Sequence, residues 1–132
     1  MKRNYHCPKC YGILNPNVKI ILRTECAGRT ALLLFSPQPG NYDVIVPESF
    51  RLNKGDEIRF SCPICARDLT SKRDRMMAEI SFSSPGGQSG RVVFSRTFGQ
   101  YETYFVTKEE VRSYGKHADT EGINFWGMGP KE

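Results

Sequence analysis

Histidine is scarce in this chain of 132 residues, with only His6 and His117. That leaves little material for a Cys–His nucleophile. Gly-x-Ser-x-Gly, a phosphate-binding glycine loop and His-Glu-x-x-His are all missing, so no catalytic set is expected and the chain reads as a non-enzyme. No run of 18 apolar residues occurs, which argues against a membrane-spanning helix. The opening Met1-Lys2-Arg3-Asn4-Tyr5-His6 reaches a cysteine with no apolar stretch behind its basic residues. It does not read as a signal peptide, and a cytoplasmic location is the expectation.

What is present is cysteine in a pattern. Cys7-Pro8-Lys9-Cys10 and Cys62-Pro63-Ile64-Cys65 are two short brackets of one form. Two thiols spaced in this way fit about one ion, and a second pair completes a tetrahedral set. The fifth cysteine, Cys26, is left over. An odd count, with no signal peptide expected and a cytosolic location that would keep thiols reduced, favours metal over disulfides. Cys7, Cys10, Cys62 and Cys65 are therefore the expected ligands of one zinc ion per chain, with iron as the competing metal. His6 adjoins Cys7 but reads as a surface residue, as does His117. Cys26 sits beside Glu25, and a neighbouring carboxylate raises a thiol pKa, which argues against a reactive thiolate.

The formal charge is +5. Four thiolates around a divalent ion add −2, bringing the metal-loaded chain to about +3. Such a charge permits contact with nucleic acid without requiring it. Basic side chains cluster about the brackets, Lys2 and Arg59 among them, and Arg3, Lys9, Arg67, Lys72, Arg73 and Arg75 are the candidate phosphate contacts. Asp68 and Asp74 dilute that group.

The pattern between and beyond the brackets is β. Val18–Thr24, Thr30–Ser36 and Tyr42–Val46 read as strands, the second buried on both faces. Phe50 and Leu52, then Ile58 and Phe60, alternate around Asn53-Lys54-Gly55-Asp56, predicting a hairpin over 49–61 that delivers the second bracket. Met76–Ser83, Arg91–Phe98 and Tyr101–Val106 alternate as a second meander. Thr107 and Glu110 have the spacing of a capping box, predicting a short helix from Lys108 to Tyr114 that stops at Gly115. After Lys116 periodicity is lost, yet Phe125 and the single tryptophan, Trp126, stand in that tail as candidate partner-docking residues.

The four cysteines and the β character between them resemble the zinc-ribbon, rubredoxin-like class over roughly residues 5–66. The resemblance implies two facing knuckles across β strands and a structural metal. The whole chain then reads as all-β: a zinc-ribbon-like meander at 1–66, a second small antiparallel meander with one short helix at 67–115, packed with the first or apart from it, and a tail at 116–132. The expected role is a small binding or adaptor protein for a protein or ribonucleoprotein partner. The alternatives are a nucleic-acid-binding transcription or ribosome-associated factor and an iron electron carrier.

Overall fold

The computed structural model describes residues 3–118. It contains nine strands: β1 (Asn4–His6), β2 (Ile20–Cys26), β3 (Arg29–Phe35), β4 (Val44–Ile45), β5 (Arg59–Ser61), β6 (Met77–Ser83), β7 (Ser89–Ser95), β8 (Thr103–Val106) and β9 (Val111–Tyr114). They form two antiparallel sheets, one ordered β1-β6-β7-β8-β9 and the other β4-β3-β2-β5. The all-β reading holds. Among the described residues no helix is long and apolar enough to cross a membrane.

Local chemistry explains the hairpins. β2 and β3 join through Ala27 and Gly28, both with left-handed φ (53° and 79°). Such two-residue turns match the right-handed twist of the strands they connect. In β6, Ala78, Ile80 and Phe82 point to one face and are almost fully buried, as period-2 alternation requires. They meet Ile20 and Leu22 of β2, Phe60 of β5, and Val92 and Phe105 of β7 and β8 in one cluster between the sheets. A smaller cluster, Met77, Val93, Tyr104 and Val106, lies on the opposite face of the five-stranded sheet.

Four sequence expectations are corrected. β2, β3 and β4 follow one another as an antiparallel meander, but the strands at its two ends are not placed as a meander of residues 1–66 requires. β5 crosses back to pair with β2, with Thr24 opposite Phe60, and β1 joins the other sheet, with Tyr5 opposite Phe82. The hairpin over 49–61 keeps only its turn. Asp56 N–H donates to the Asn53 carbonyl at 2.9 Å, but residues 49–52, which would lead into it, form no strand. β3 is not buried on both faces. Leu32 is 51% exposed because one side of the four-stranded sheet lies open, the usual state of an antiparallel sheet.

The short helix after Thr107 is a strand instead. The Thr107 hydroxyl does accept from the N–H groups of Glu109 (3.3 Å) and Glu110 (3.2 Å), as a helix cap would. However, Thr107 N–H donates to the Glu110 carbonyl at 2.9 Å, which turns the chain back on itself. Val111–Tyr114 then completes the edge of the sheet, Val106 pairing with Val111. An isolated helix of two turns is marginal, whereas the β8 edge offers a full ladder.

Segments outside the strands tie the sheets together. Leu69 N–H donates to Phe60 O (2.9 Å) and Glu79 N–H to Leu69 O (2.8 Å), so residues 68–70 bridge β5 to β6. Ile58 N–H donates to Arg96 O at 2.8 Å, and Arg96 Nε returns to Ile58 O at 2.7 Å. On the far side the Tyr42 hydroxyl lies 2.7 Å from Thr103 Oγ1 and donates to Tyr114 O at 3.1 Å.

Candidate metal centre

Each cysteine bracket directly follows an edge strand, the first after β1 and the second after β5. The two are built alike. Tyr11 N–H donates to Cys7 O (2.9 Å) as Ala66 N–H does to Cys62 O (2.8 Å). Cys7 N–H donates to Gly12 O and Cys62 N–H to Arg67 O, both at 3.0 Å. Leu14 N–H reaches Tyr5 O and Leu69 N–H reaches Phe60 O, so each knuckle closes on the strand that feeds it. The residue after the second cysteine is left-handed in both, with φ 63° at Tyr11 and 66° at Ala66.

Proline at the second position has a fixed φ and no N–H. The amides that follow it turn onto the first sulfur. Lys9 and Cys10 N–H lie 3.3 and 3.4 Å from Cys7 Sγ. Ile64 and Cys65 N–H lie 3.2 and 3.4 Å from Cys62 Sγ. Gly12 N–H points at Cys10 Sγ at 3.4 Å. Such donors stabilise thiolate charge.

The four sulfurs of Cys7, Cys10, Cys62 and Cys65 all lie within 4.8 Å of one another. Cys7 to Cys65 is 3.7 Å and Cys10 to Cys62 is 3.8 Å. A regular tetrahedron with metal–sulfur bonds of about 2.3 Å has edges of about 3.8 Å, so the donor set fits one ion. Cys7 and Cys62 are fully buried, while Cys10 faces solvent.

The two buried thiols differ in acidity. Burial opposes ionisation of Cys7, but the N–H groups of Cys10 and Lys9, with the thiols of Cys65 and Cys62, outweigh it and bring Cys7 down to about 7. At Cys62 burial dominates, and donation toward its neighbours Cys65 and Cys10 adds to it, pushing the thiol up to about 12. Without an ion the cluster holds on to protons, and an ion must displace them. With four protein ligands, a tetrahedral ion has no coordination position left for substrate.

The remaining candidates fall in several places. Lys9 and Arg67 are exposed on the two knuckles. Lys72, Arg73 and Arg75 are exposed on the loop before β6. Arg3 instead turns inward, its guanidinium 5.1 Å from the Phe105 ring centre and 5.9 Å from that of Phe82. Asp68 ion-pairs with Arg59 at 3.6 Å. Burial opposes its ionisation, but the hydroxyl and N–H of Thr70 and the nearby arginines outweigh that and hold its carboxyl below the ordinary value.

His6, read as a surface residue, is half-buried in β1, its Nε2 3.1 Å from Ser83 Oγ. His117 Nδ1 accepts from Tyr101 N–H at 2.9 Å. Cys26 closes β2, and its thiol is raised by burial and by Asp56, not by Glu25. Phe125 and Trp126 lie outside the described residues. Tyr5, Phe60, Leu14 and Leu69 went unnoticed as parts of the site. The signal was available, since a leucine stands four places after the second cysteine of each bracket.

The fold and site define an all-β protein with a four-cysteine metal-binding centre between two antiparallel sheets. No protein-family model, curated protein or solved structure matches this chain.

Proposed function

We propose that this chain is a small cytosolic zinc protein whose ion is structural, and that it serves as a binding or adaptor module for a protein or ribonucleoprotein partner. The observation that carries the reading is the pair of matching knuckles, which bring four sulfurs into tetrahedral range from the ends of strands in different sheets. An ion held there clasps the two sheets. Its ligand set is closed, so its contribution is to stability. The knuckles also present apolar side chains to solvent, Tyr11 at 74% and Ile64 at 61% exposure.

Elemental analysis of the purified chain, with free thiols counted in parallel, tests the reading. One zinc per chain and one reactive thiol, Cys26, is the expected result. One iron per chain would convert the protein to an electron carrier. No metal, with oxidised cysteines, would remove the proposal.

A second reading, direct nucleic-acid binding, draws on the exposed Lys9, Arg67, Lys72, Arg73 and Arg75. It requires affinity for single-stranded RNA or DNA that falls steeply with salt. A flat salt response would dismiss it.

A further inference from the structure

The inner faces of the two sheets do not close on each other along their whole length. A cavity of about 340 Å³ remains between them. Its walls include Leu22 and Phe60 from one sheet and Ile80, Val92, Phe94 and Phe105 from the other. Protein interiors are close-packed, and voids larger than a water molecule are few. An engineered cavity of about 150 Å³ with apolar walls stays dry and takes up benzene. The space here is roughly twice that size, and its walls are mostly apolar.

The walls are held apart on both sides, so the space does not collapse. On one side the knuckles after β1 and β5 and the bonds between Ile58 and Arg96 fix the sheets. On the other, Tyr42 bonds to Thr103 and Tyr114 across the gap. Two tyrosine hydroxyls on the lining are already engaged. The Tyr5 hydroxyl donates to Pro37 O at 2.6 Å, and the Tyr42 hydroxyl is engaged as above. The charged residues on the lining are Asp43, exposed, and Glu102, whose carboxylate accepts from the Tyr104 hydroxyl at 2.7 Å and so turns to the other face of the sheet. Lys116 stands outside, its Nζ 5.6 Å from the Tyr101 ring centre. A buried charge without a partner is costly, and the lining holds no lysine, arginine or histidine to pair with an anion.

We propose that the space between the sheets is a binding site for an uncharged, largely apolar molecule about the size of two or three fused rings. None of the four clustered cysteines lines it, although Tyr5 and Phe60 border both. The ligand enters past Tyr42 and Tyr101, whose rings stack at 4.7 Å beside the mouth, and lies against the phenylalanine rings.

The test is titration of the metal-loaded full chain with 1-aminoanthracene, an uncharged dye whose emission rises and shifts to the blue in apolar surroundings. The expected result is saturation at one dye per chain, competition by naphthalene, and binding at least tenfold weaker for the anionic dye 8-anilinonaphthalene-1-sulfonate. Val92→Trp fills the cavity and should weaken dye binding at least tenfold. Leu32→Trp, on the open face of the other sheet, should leave it unchanged. Methyl NMR of the unaltered protein decides independently of whether Val92→Trp folds. The dye should shift Leu22, Ile80 and Val92 and spare Leu32 and Ile45. No saturable binding, several dyes per chain, equal or stronger binding of the anionic dye, unchanged affinity in a folded Val92→Trp, or shifts confined to Leu32 and Ile45 would overturn the proposal.

Discussion

Cys7 and Cys65 stand 58 positions apart in the chain, yet their Sγ atoms lie 3.7 Å from each other. Cys7 follows β1 of one sheet, and Cys65 belongs to the knuckle after β5 of the other. An ion held here therefore stabilises both sheets, not the first 65 residues alone. Structural zinc contributes roughly 10–16 kcal/mol in small peptides, against a net stability of about 5–15 kcal/mol for a whole domain. Cys62→Ser should yield protein without metal and without a cooperative melt. Amide exchange should become fast in β2 and in β6–β8 together. Cys26→Ser, altering the spare thiol, should keep both the ion and the melt. Elemental analysis with hydrogen exchange reads all of this.

The left-handed residue at the end of each knuckle gives a second expectation. Ala66 adopts φ 66°, which costs an L residue about 1–2 kcal/mol that glycine avoids. Glycine also adds freedom to the unfolded chain, worth about 0.4–1 kcal/mol in the other direction. Ala66→Gly should thus be neutral to stabilising by up to about 1 kcal/mol. Ala66→Val, with a β-branched side chain at the same φ, should destabilise by more than about 1 kcal/mol. Urea unfolding at one buffered free-metal concentration measures both, since metal binding itself shifts the midpoint.

The metal ligands were legible because two brackets of one form are a local signal, complete within four residues each. The strands β2, β3, β6, β7 and β8 were legible because alternation is also local. Sheet order was not. Whether β5 continues a meander or returns to β2 depends on contacts far apart in sequence, and its three residues carry no mark of it. β1 is also only three residues long, too short to show a period. The Thr107 spacing misled because a hydroxyl accepting from the two following amides serves a tight turn as well as a helix. What decided between them was the unpaired edge of β8, which no local pattern reports. Exposure of Leu32 escaped for a related reason, since a run of leucines does not say which face will be covered.

Gly115 packs against the latch that holds the far side of the sheets. Its φ is 99°, and an added Cβ would overlap Tyr101 O and the Tyr42 hydroxyl. Gly115→Ala should cost more than about 2 kcal/mol, combining backbone strain with a broken hydroxyl network. Tyr42→Phe keeps the ring stack and loses only the hydroxyl bonds, so it should cost about 1 kcal/mol. Protease sensitivity of the loop at 36–43 should rise in both variants, and more in Gly115→Ala. Cutting as slow as in the unaltered protein would show that Tyr42 does not hold this side.

Tyr5 and Tyr42 make stability depend on alkaline pH. Burial raises both above the ordinary tyrosine value of 10.0. At Tyr5 the Arg3 guanidinium works against burial, and at Tyr42 the bond to Thr103 does so while Glu102 adds to the rise. Each hydroxyl thus keeps its proton in the folded chain at a pH where the unfolded chain has lost it. Their contribution is whole below pH 10 and is lost as pH rises through the raised folded values. The cysteine thiolates, by contrast, face less proton competition in that range, so metal release does not confuse the reading. Cys26, whose thiol is also raised above its ordinary 9.0, adds a fall common to both proteins. Urea midpoints should therefore fall from about pH 9 upward, and Tyr42→Phe should fall less steeply than the unaltered chain above about pH 10. A tyrosinate absorbance titration should show at least two groups ionising late, one fewer in Tyr42→Phe. Equal slopes in the two proteins would mean that Tyr42 ionises without disturbing the fold.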